Sequence, residues 1–458
     1  MEFVVVGNGS LGLMIAASVA KANPKWAVSV VGPSDRRYSA STAAGAMINV
    51  YGEVEALPNA QKRLGEGLLE MGTLASKKWM SFLNQTAGNH AITARQTLVV
   101  LKRDASVFEE RNFQAMAETA LGDGVAEKET SESLDYFAGE RAKLFESVLR
   151  LTDEFALDSA LLVSHLEKVA MSLHVKFIDS MVTEINPATK QITLTDDSKI
   201  SADQIVASAG AFTGDLFGGE ARLLPMFQGV GTALVANRLP GAVRPVEVVR
   251  TVNRGGAQCG VHLVPIAGEG LYIGAGNNVS TVQKPSTRFE TVSYLLETAQ
   301  REFLGRSVGY AMEGSIRVGL RPRSLDGYPM IGALSGFDGT FIATATNRAG
   351  LTWAPEIADQ VVRWASGGSV ERHMEGWAPD RTSLLAGFEE DVLENYVESR
   401  IGAGLEHGTV QNTVRDLDLA RTEIRAFGKK LISQLSKAGL QGVHPDNWAA
   451  AASITQEA

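Results

Sequence analysis

The hydrophobic pattern at the N-terminal end predicts a strand, a helix and a second strand. Residues 3–6 are a run of aromatic and β-branched side chains, which is typical of a buried strand. Residues 11–22 are apolar on nearly every face and predict a buried helix that ends at Asn23-Pro24. Residues 27–31 predict another buried strand. These elements together form a βαβ unit.

The pattern in the middle of the chain changes from helical to β-rich. Residues 61–150 are mainly helical in pattern, with a strand-like break at 97–101, and 158–172 predict a further helix. Short buried or alternating runs predict strands at 176–178, 181–185, 191–195 and 204–211. Residues 224–276 contain many short β-like runs, which favours an antiparallel sheet.

The later elements return to an alternation of strand and helix. Residues 288–304 predict a helix, and the Gly-, Pro- and Arg-rich residues 314–332 predict a loop. A strand at 340–345 and a helix at 351–364 then repeat the βα pattern of the beginning. We therefore expect these two ends to share one domain, with the β-rich segment inserted between them.

The fold class predicted from these elements is α/β. It consists of a discontinuous Rossmann-like nucleotide-binding domain, a second domain with a mixed or antiparallel β-sheet, and a helical C-terminal tail. The nucleotide-binding domain takes residues 1–85, 151–220 and 315–368; the second domain takes 86–150 and 221–314; the tail takes 369–458.

The tail carries one apolar stripe with gaps of three and four residues, as on one face of a long helix. The stripe comprises Val410, Val414, Leu417, Ala420, Ile424, Phe427, Leu431 and Leu435. Such a face either docks on the body of the same chain or forms an interface between subunits, so a homo-oligomer through this helix is an alternative.

Composition narrows the classes of function. The formal net charge is -9 at pH 7, which gives the chain no electrostatic reason to bind nucleic acid or an anionic membrane surface. The single cysteine, Cys259, excludes an intramolecular disulfide. No histidine stands at metal-ligand spacing, and no apolar run has the roughly 18 residues of a membrane span. These features favour a cytoplasmic protein without metal.

A glycine-rich turn follows the first strand. Gly7, Gly9 and Gly12 form a GxGxxG motif between that strand and the following helix. This motif permits a tight turn, close approach of a pyrophosphate and close packing of helix on strand. The second strand does not end in the usual ribose-binding carboxylate, and we expect Ser34 or Asp35 to replace it.

The glycine turn alone does not show which dinucleotide the chain binds, and three further segments bear on that choice. These are the small-residue segment 39–48, the segment 319–332 with Gly319-Leu320-Arg321-Pro322, and the segment 345–355 with Asn347-Arg348-Ala349-Gly350. Together with the glycine turn, they resemble the D-amino acid oxidase superfamily of FAD enzymes, and most closely its glycine oxidase and sarcosine oxidase branch. The resemblance extends from residue 1 to about 368 and excludes the tail.

The resemblance implies which residues bind FAD. The glycine turn would hold the pyrophosphate, the segment after the second strand would run beside the flavin, and a later helix N-terminus would face the flavin pyrimidine ring. The implied residues are Gly7, Gly9, Ser10, Leu11, Gly12, Ser34, Ser41, Thr42, Ala44, Gly45, Met47, Ala349, Gly350, Leu351 and Thr352. The alternative for these small residues is a tight packing site.

The resemblance also bears on how the flavin is attached. Several family members bind flavin covalently through a cysteine near the segment that corresponds to 317–320, but this segment contains none. We therefore expect FAD to be bound non-covalently. Cys259 is more simply interpreted as a small buried apolar residue.

Three residues are implied to contact the substrate. In amino-acid-oxidising members, the arginine of the Gly-Leu-Arg-Pro segment clamps the substrate carboxylate at two points, which assigns that role to Arg321. Arg348 matches a second arginine of glycine oxidase-like sequences, and His262 stands where relatives often carry a pocket tyrosine. The alternatives are structural ion pairs for the arginines and a core position for His262.

The function that the resemblance implies is oxidation of the C–N bond of a small amino acid or amine by hydride transfer to flavin N5, giving an imine. No catalytic acid or base is required if the amine arrives neutral. Three alternatives remain: a flavin dehydrogenase with another electron acceptor, an N-demethylase, and a non-catalytic flavoprotein whose C-terminal helix binds a partner.

Overall fold

The structure is a computed structural model, and it describes residues 1–57, 59–130, 134, 139–218, 221–239, 244–254, 259–283, 286–305, 313–406 and 413–457. The helices are α1 (Ser10–Ala22), α2 (Ala40–Ala43), α3 (Asn59–Thr86), α4 (Val107–Gly122), α5 (Ser159–Ser172), α6 (Phe289–Thr298), α7 (Gly350–Ala365), α8 (Glu389–Glu406), α9 (Val414–Lys437) and α10 (Trp448–Glu457). None of these helices is long and apolar enough to cross a membrane.

The strands fall into two large sheets and two small ones. They are β1 (Glu2–Val6), β2 (Ala27–Val31), β3 (Met47–Ile48), β4 (Ile92–Ala94), β5 (Thr97–Lys102), β6 (Ala126–Glu129), β7 (Phe145–Leu151), β8 (Phe155–Leu157), β9 (Lys176–Ile178), β10 (Val182–Asn186), β11 (Gln191–Leu194), β12 (Lys199–Ser201), β13 (Gln204–Ala207), β14 (Met226–Arg238), β15 (Val248–Thr251), β16 (His262–Pro265), β17 (Leu271–Ser280), β18 (Glu313–Ser324), β19 (Met330–Ala333) and β20 (Thr340–Thr344).

The first large sheet has six strands in the order β19-β20-β13-β1-β2-β9. Its strands are parallel except for the edge strand β19, which pairs antiparallel with β20. Side chains of α1, α5 and α7 bury one face of this sheet in a single apolar cluster. The sheet therefore joins the βα elements from both ends of the chain, which confirms the predicted Rossmann-like arrangement.

The second large sheet has eight strands in the order β18-β14-β17-β16-β15-β5-β7-β6. All its neighbours are antiparallel except β15 and β5, so it is the mixed sheet that the sequence predicts. It takes its strands from residues 97–151 and 226–324. Between these two ranges lie β9 and β13, which belong to the first sheet. The exact domain boundaries stay a prediction.

The expectation of a mainly helical segment up to residue 150 is wrong at its end. Phe145–Leu151 forms β7, which pairs antiparallel with β5 along its length. Phe145, Val148 and Leu151 are buried while Glu146 is exposed, so tertiary pairing has overridden the local helical pattern.

The expected loop at 314–332 is also wrong, because Glu313–Ser324 forms the long strand β18. β18 lies at the edge of the eight-stranded sheet, where the missing N–H of Pro322 is tolerated. Gly314 and Gly319 leave room for close neighbours: a Cβ at Gly319 would lie 2.7 Å from the Cβ of Ala43. The glycines that suggested a loop therefore allow β18 to lie very close to its neighbours.

The C-terminal helices dock on the other face of the six-stranded sheet. Leu431, Leu435 and Trp448 belong to one buried cluster with Val4 and Ile205 of that sheet. The predicted stripe is thus buried at its C-terminal end. Val414 and Phe427 of the stripe, however, are exposed, and Val410 lies outside the described residues. An interface between subunits through this helix stays a prediction.

Replacing Leu435 by alanine should lower the free energy of unfolding by about 2–5 kcal/mol, because Leu435 is 2% exposed and its removal leaves a cavity. Leu419→Ala is the matched control on the same helix, since Leu419 is 56% exposed and should change stability by less than about 0.5 kcal/mol. Urea unfolding followed by circular dichroism measures both. Equal effects would show that the docking of α9 is wrongly described.

Candidate active site

A cavity of about 530 Å³ lies between the two large sheets. Its wall combines the glycine turn after β1, the segment 35–49, the Gly319–Pro322 stretch of β18 and the N-terminus of α7. The volume is in the range of small-molecule and cofactor sites. Four separate segments of the chain therefore meet around one cavity.

The glycine turn forms one end of this cavity. Gly7 has φ +118°, and a Cβ there would lie 2.4 Å from the carbonyl oxygen of Ser208. Gly9 is the N-cap of α1 and has no capping side chain, so the first turn of the helix opens toward the cavity. This arrangement presents backbone N–H groups and the positive helix end to an anion.

The small residues after β2 also line the cavity. The hydroxyls of Ser10 and Ser41 are 3.0 Å apart, and the N–H of Ser10 donates to Ser41 Oγ at 3.0 Å. The segment is at the same time packed against β18, since the N–H of Leu320 donates to the carbonyl of Tyr38 at 3.0 Å. The small side chains therefore serve both the cavity and the close passage of a strand.

The N-terminus of α7 also lines the cavity. Ala349 caps the helix without a side-chain hydrogen bond, and residues 349–352 line the cavity. Pro355 has no N–H to give to Leu351, and Trp79 Nε1 donates to that carbonyl instead at 3.1 Å. The helix thus keeps a regular first turn whose free N–H groups face the cavity.

Arg321 projects from β18 into the cavity and is only partly buried. Its Nη1 donates to the carbonyl of Gly276 at 2.9 Å and to Oδ1 of Asn277 at 3.1 Å. Within the part of the chain that the structure describes, it forms no ion pair with a carboxylate. Its guanidinium therefore has neutral partners on one side and an unmatched positive charge toward the cavity.

Arg348 is in a different electrostatic environment. Its Nη2 lies 2.9 Å from Glu53 and 3.4 Å from Glu55, and its Nη1 donates to Asn253 Oδ1 at 3.2 Å. Burial alone would raise the pKa of Glu53, but Arg348 and Arg250 lower it to about 2. Arg348 is thus already matched by an ionised carboxylate, which supports the alternative of a structural ion pair.

His262 lies in the cavity wall with its ring stacked on Tyr272 at a centroid distance of 5.8 Å. Burial, followed by the charge of Arg250, lowers the pKa of His262 well below its ordinary value. The imidazole is therefore neutral at pH 7. Its Nδ1 has no hydrogen-bond partner among the described residues.

Comparison with protein families identifies the chain. A family described as "FAD dependent oxidoreductase" (DAO) matches residues 2–364. The chain belongs to this family. The match ends close to the limit of about 368 that the sequence suggested, and the C-terminal helices lie beyond it. Comparison with curated protein sequences gave no match.

Solved structures share the fold of this FAD-dependent oxidoreductase at low identity. Glycine oxidase from Geobacillus kaustophilus is 18% identical with a TM-score of 0.69, covering 83% of this chain and 98% of its own. Iminodiacetate oxidase from Chelativorans sp. BNC1 is 16% identical with a TM-score of 0.66, covering 82% and 98%. L-proline dehydrogenase from P. horikoshii is 15% identical with a TM-score of 0.64, covering 83% and 97%. These likenesses support the fold.

The residues of this FAD-dependent oxidoreductase fit a dinucleotide with a flavin. The glycine turn leaves space that a Cβ would fill, two hydroxyls stand beside it, and the open N-terminus of α7 lines the same cavity. The first helix end would hold the pyrophosphate and the second would face the flavin. A helix N-terminus at that position stabilises negative charge on the reduced cofactor.

Most of the residues proposed from sequence to bind the cofactor or substrate lie in the cavity wall. They are Gly7, Gly9, Ser10, Leu11, Ser41, Ala44, Gly45, Met47, His262, Arg321, Arg348, Ala349, Gly350, Leu351 and Thr352. Gly12, Ser34 and Thr42 lie outside it. Gly12 packs helix on strand, since a Cβ there would lie 1.9 Å from the carbonyl oxygen of Gly7.

The segment after β2 shows which residue stands at the position of the ribose-binding acid. Asp35 lines the cavity and pairs with Arg37. Ser34 instead donates its N–H to Asp179 at 2.7 Å, away from the cavity. Of the two substitutes expected for the acid, Asp35 is thus the one at the cavity, and its contact with the ribose stays a prediction.

Several wall residues were not proposed from the sequence. Glu53 and Tyr272 reach the cavity from distant segments, and no local signal marks them. Gly231 could have been found, because an isolated glycine inside a strand indicates the close approach of another group. A Cβ at Gly231 would lie 2.7 Å from Cζ of Arg321, so this glycine makes room for the guanidinium.

Proposed function

We propose that this protein oxidises the C–N bond of a small amino acid by hydride transfer to N5 of non-covalently bound FAD, giving an imine. A small amine is the alternative substrate. The bound flavin supplies the hydride acceptor, and the chain supplies binding, orientation and exclusion of water. Glycine oxidase and iminodiacetate oxidase, two proteins of similar fold, carry names that point to substrates of this type.

The observation that carries the proposal is the charge of Arg321. A partly buried arginine with only neutral partners favours binding of an anion. Gly231 makes room for the guanidinium, and the bonds to Gly276 and Asn277 are both donated by Nη1, which leaves Nε and Nη2 for a planar carboxylate bound at two points. An amino acid presents such a carboxylate next to the carbon that is oxidised.

The other polar residues of the cavity wall have different roles in the proposed reaction. Arg348 and Glu53 form a fixed ion pair that shapes the pocket beside Arg321. The neutral imidazole of His262 offers a hydrogen-bonding group without a second positive charge. A substrate amine that arrives neutral then needs no dedicated base, and the wall contributes orientation.

Purified protein should be yellow, should release FAD into the supernatant on acid precipitation, and should lose its visible absorption when amino acids are added without oxygen. Cys259 lines the cavity and is the only cysteine, so Cys259→Ser is the control for attachment. Colour retained in the precipitate of the parent but not of Cys259→Ser would contradict non-covalent binding. Bleaching by no amino acid or amine would contradict the proposed reaction.

The alternatives differ in the fate of the electrons once the flavin is reduced. Reoxidation by oxygen at a rate that matches turnover indicates an oxidase, whereas slow reoxidation and fast transfer to an artificial acceptor indicate a dehydrogenase. L-proline dehydrogenase has a similar fold, so the fold is compatible with the second outcome. Release of formaldehyde from an N-methyl substrate identifies an N-demethylase, and a flavin that no substrate reduces identifies a non-catalytic flavoprotein.

A further inference from the structure

The strand that carries Arg321 also carries Arg323, and the two side chains lie on the same face because their positions differ by two. Gly229 of the neighbouring strand β14 forms the floor under both. A Cβ at Gly229 would lie 3.3 Å from Cβ of Arg321 and 3.5 Å from Cδ of Arg323. It would also lie 2.6 Å from Oδ1 of Asn277, the acceptor for Arg321. The two arginines are therefore packed side by side.

Arg323 is 2% exposed, and its charge is matched by the C-terminal extension, residues 369–457. Its Nη2 lies 3.1 Å from Oδ2 of Asp446, and its Nε donates to Oδ1 of Asn447 at 3.1 Å. Asn447 in turn donates to the carbonyls of Ser324 at 2.9 Å and Leu325 at 3.1 Å. The end of β18 thus has side-chain and backbone partners in the extension.

The turn that follows β18 is anchored to the same extension. Asp326 is fully buried and accepts from Arg381 Nη2 at 2.8 Å and from the N–H of Leu384 at 3.0 Å. The N–H of His444 donates to the carbonyl of Leu325 at 2.9 Å. These contacts come from two separate parts of the extension, so they fix the turn from both sides.

On the opposite side, β18 is joined to the cofactor-binding segments. The N–H of Asn347 donates to the carbonyl of Pro322 at 2.8 Å, directly between the two arginines in sequence. The stretch of β18 next to Arg321 is thus held both by Asn347, which lines the cavity, and by the extension. The family match ends at residue 364, so the second of these supports lies outside the part of the chain that defines the family.

We propose that the C-terminal extension positions the carboxylate-binding arginine, with Asp446 and Asn447 acting on Arg321 through Arg323. The inference rests on the proposed function, in which Arg321 binds the substrate carboxylate. An unneutralised Arg323 would be a buried charge beside a second arginine, and the repulsion between them would displace β18. Asp446 and Asn447 are positioning residues, because neither lines the cavity and both act through Arg323.

The test compares three variants of the full-length holoprotein. Asn447→Ala removes the hydrogen bonds to Arg323 and to β18, and Asp446→Asn removes the charge while keeping the size of the side chain. Gln434→Ala is the matched control, because its amide also donates to a backbone carbonyl, that of Ala452 at 3.1 Å, but this bond stays within the extension. Flavin content and melting temperature are measured for all three.

Two readouts do not depend on turnover. Acetate, titrated against the visible spectrum of the bound flavin, reports the carboxylate site. Hydrogen exchange of a peptide that covers residues 318–325 reports the order of β18. We expect acetate to bind about 3- to 30-fold more weakly in Asn447→Ala and Asp446→Asn, with faster exchange in that peptide, and to bind Gln434→Ala normally.

A third readout uses the proposed reaction. In the two positioning variants, kcat/KM for an amino acid should fall because KM rises. The kcat/KM for the decarboxylated amine should be unchanged. Unchanged acetate affinity and unchanged exchange in Asp446→Asn, with flavin content intact, would overturn the inference. If no amino acid reduces the flavin but acetate affinity and exchange change as expected, the proposed function fails and the positioning role stands.

Discussion

Replacing Gly9 by valine should abolish FAD binding while the protein keeps its fold. Gly9 has φ -73° and ψ -179°, an extended conformation that any residue adopts. A Cβ there would meet only side chains of the protein, the nearest being Ser41 Oγ at 3.0 Å. The valine methyl groups would instead occupy the cavity beside the open end of α1, where the pyrophosphate is expected.

Gly12→Val is the matched comparison within the same motif. A Cβ at Gly12 would lie 1.9 Å from the carbonyl oxygen of Gly7, which is backbone and cannot move aside. This variant should lose the packing of α1 on the sheet, and its free energy of unfolding should fall by more than the roughly 1–3 kcal/mol typical of overpacking. We therefore expect the motif to contain one glycine required for the ligand and one required for the fold.

Absorbance at the flavin wavelengths relative to protein, together with far-ultraviolet circular dichroism, distinguishes these outcomes. Gly9→Val should purify colourless with the secondary structure of the parent, whereas Gly12→Val should be colourless and poorly folded. Normal flavin content in Gly9→Val would show that the glycine turn does not hold the pyrophosphate. Free FAD added to apoprotein should restore the spectrum of the parent and leave Gly9→Val unchanged.

The parts of the fold that the sequence predicts correctly depend on local signals. β1, α1 and β2 are marked by continuous apolar runs and by the glycines between them, so the βαβ unit is recognised without knowledge of its neighbours. Arg321 is likewise marked by a short motif within one strand, and the structure places it in the cavity wall, while its role toward a substrate stays a prediction. Such local features can be recognised from a single sequence.

The features that were missed depend on distant partners. β18 is a strand because β14 pairs with it and the edge position tolerates Pro322, and its own composition indicates a loop. Arg348 meets Glu55 across 293 residues of sequence, so its ion pairs cannot be inferred from spacing. The same holds for Asp446 and Arg323, whose contact joins the extension to β18.

Only the structure shows that Arg321 and Arg348, the two arginines implied by the resemblance, have different partners. Both lie in one cavity, and the sequence does not show which of them has a carboxylate partner. The difference is the neighbouring carboxylate: Glu53 matches Arg348, and no described carboxylate matches Arg321. Removing Arg348 would leave the ionised Glu53 with one fewer partner, so its variants test stability and cofactor content before they test substrate binding.

Replacing Arg321 by alanine should lower kcat/KM for an amino acid by about 10- to 100-fold, since a charge-assisted contact of this kind contributes about 1.5–3 kcal/mol. Arg321→Lys keeps the charge but loses the planar fork, so it should be impaired as well. Arg317→Ala is the control on the same strand and face, where the arginine donates to the hydroxyl of Ser159 at 3.3 Å and does not line the cavity.

The measurement is the rate of flavin reduction without oxygen, compared for an amino acid and its decarboxylated amine. If Arg321 clamps the carboxylate, the alanine variant keeps its flavin and melting temperature, and only the amino acid reacts more slowly. If Arg321 mainly holds β17 and β18 together through Gly276 and Asn277, the variant loses stability or flavin, and both substrates are affected equally. The second result would remove the reason for preferring an amino acid over a simple amine, because no other described cation in the cavity is as free of a carboxylate partner as Arg321.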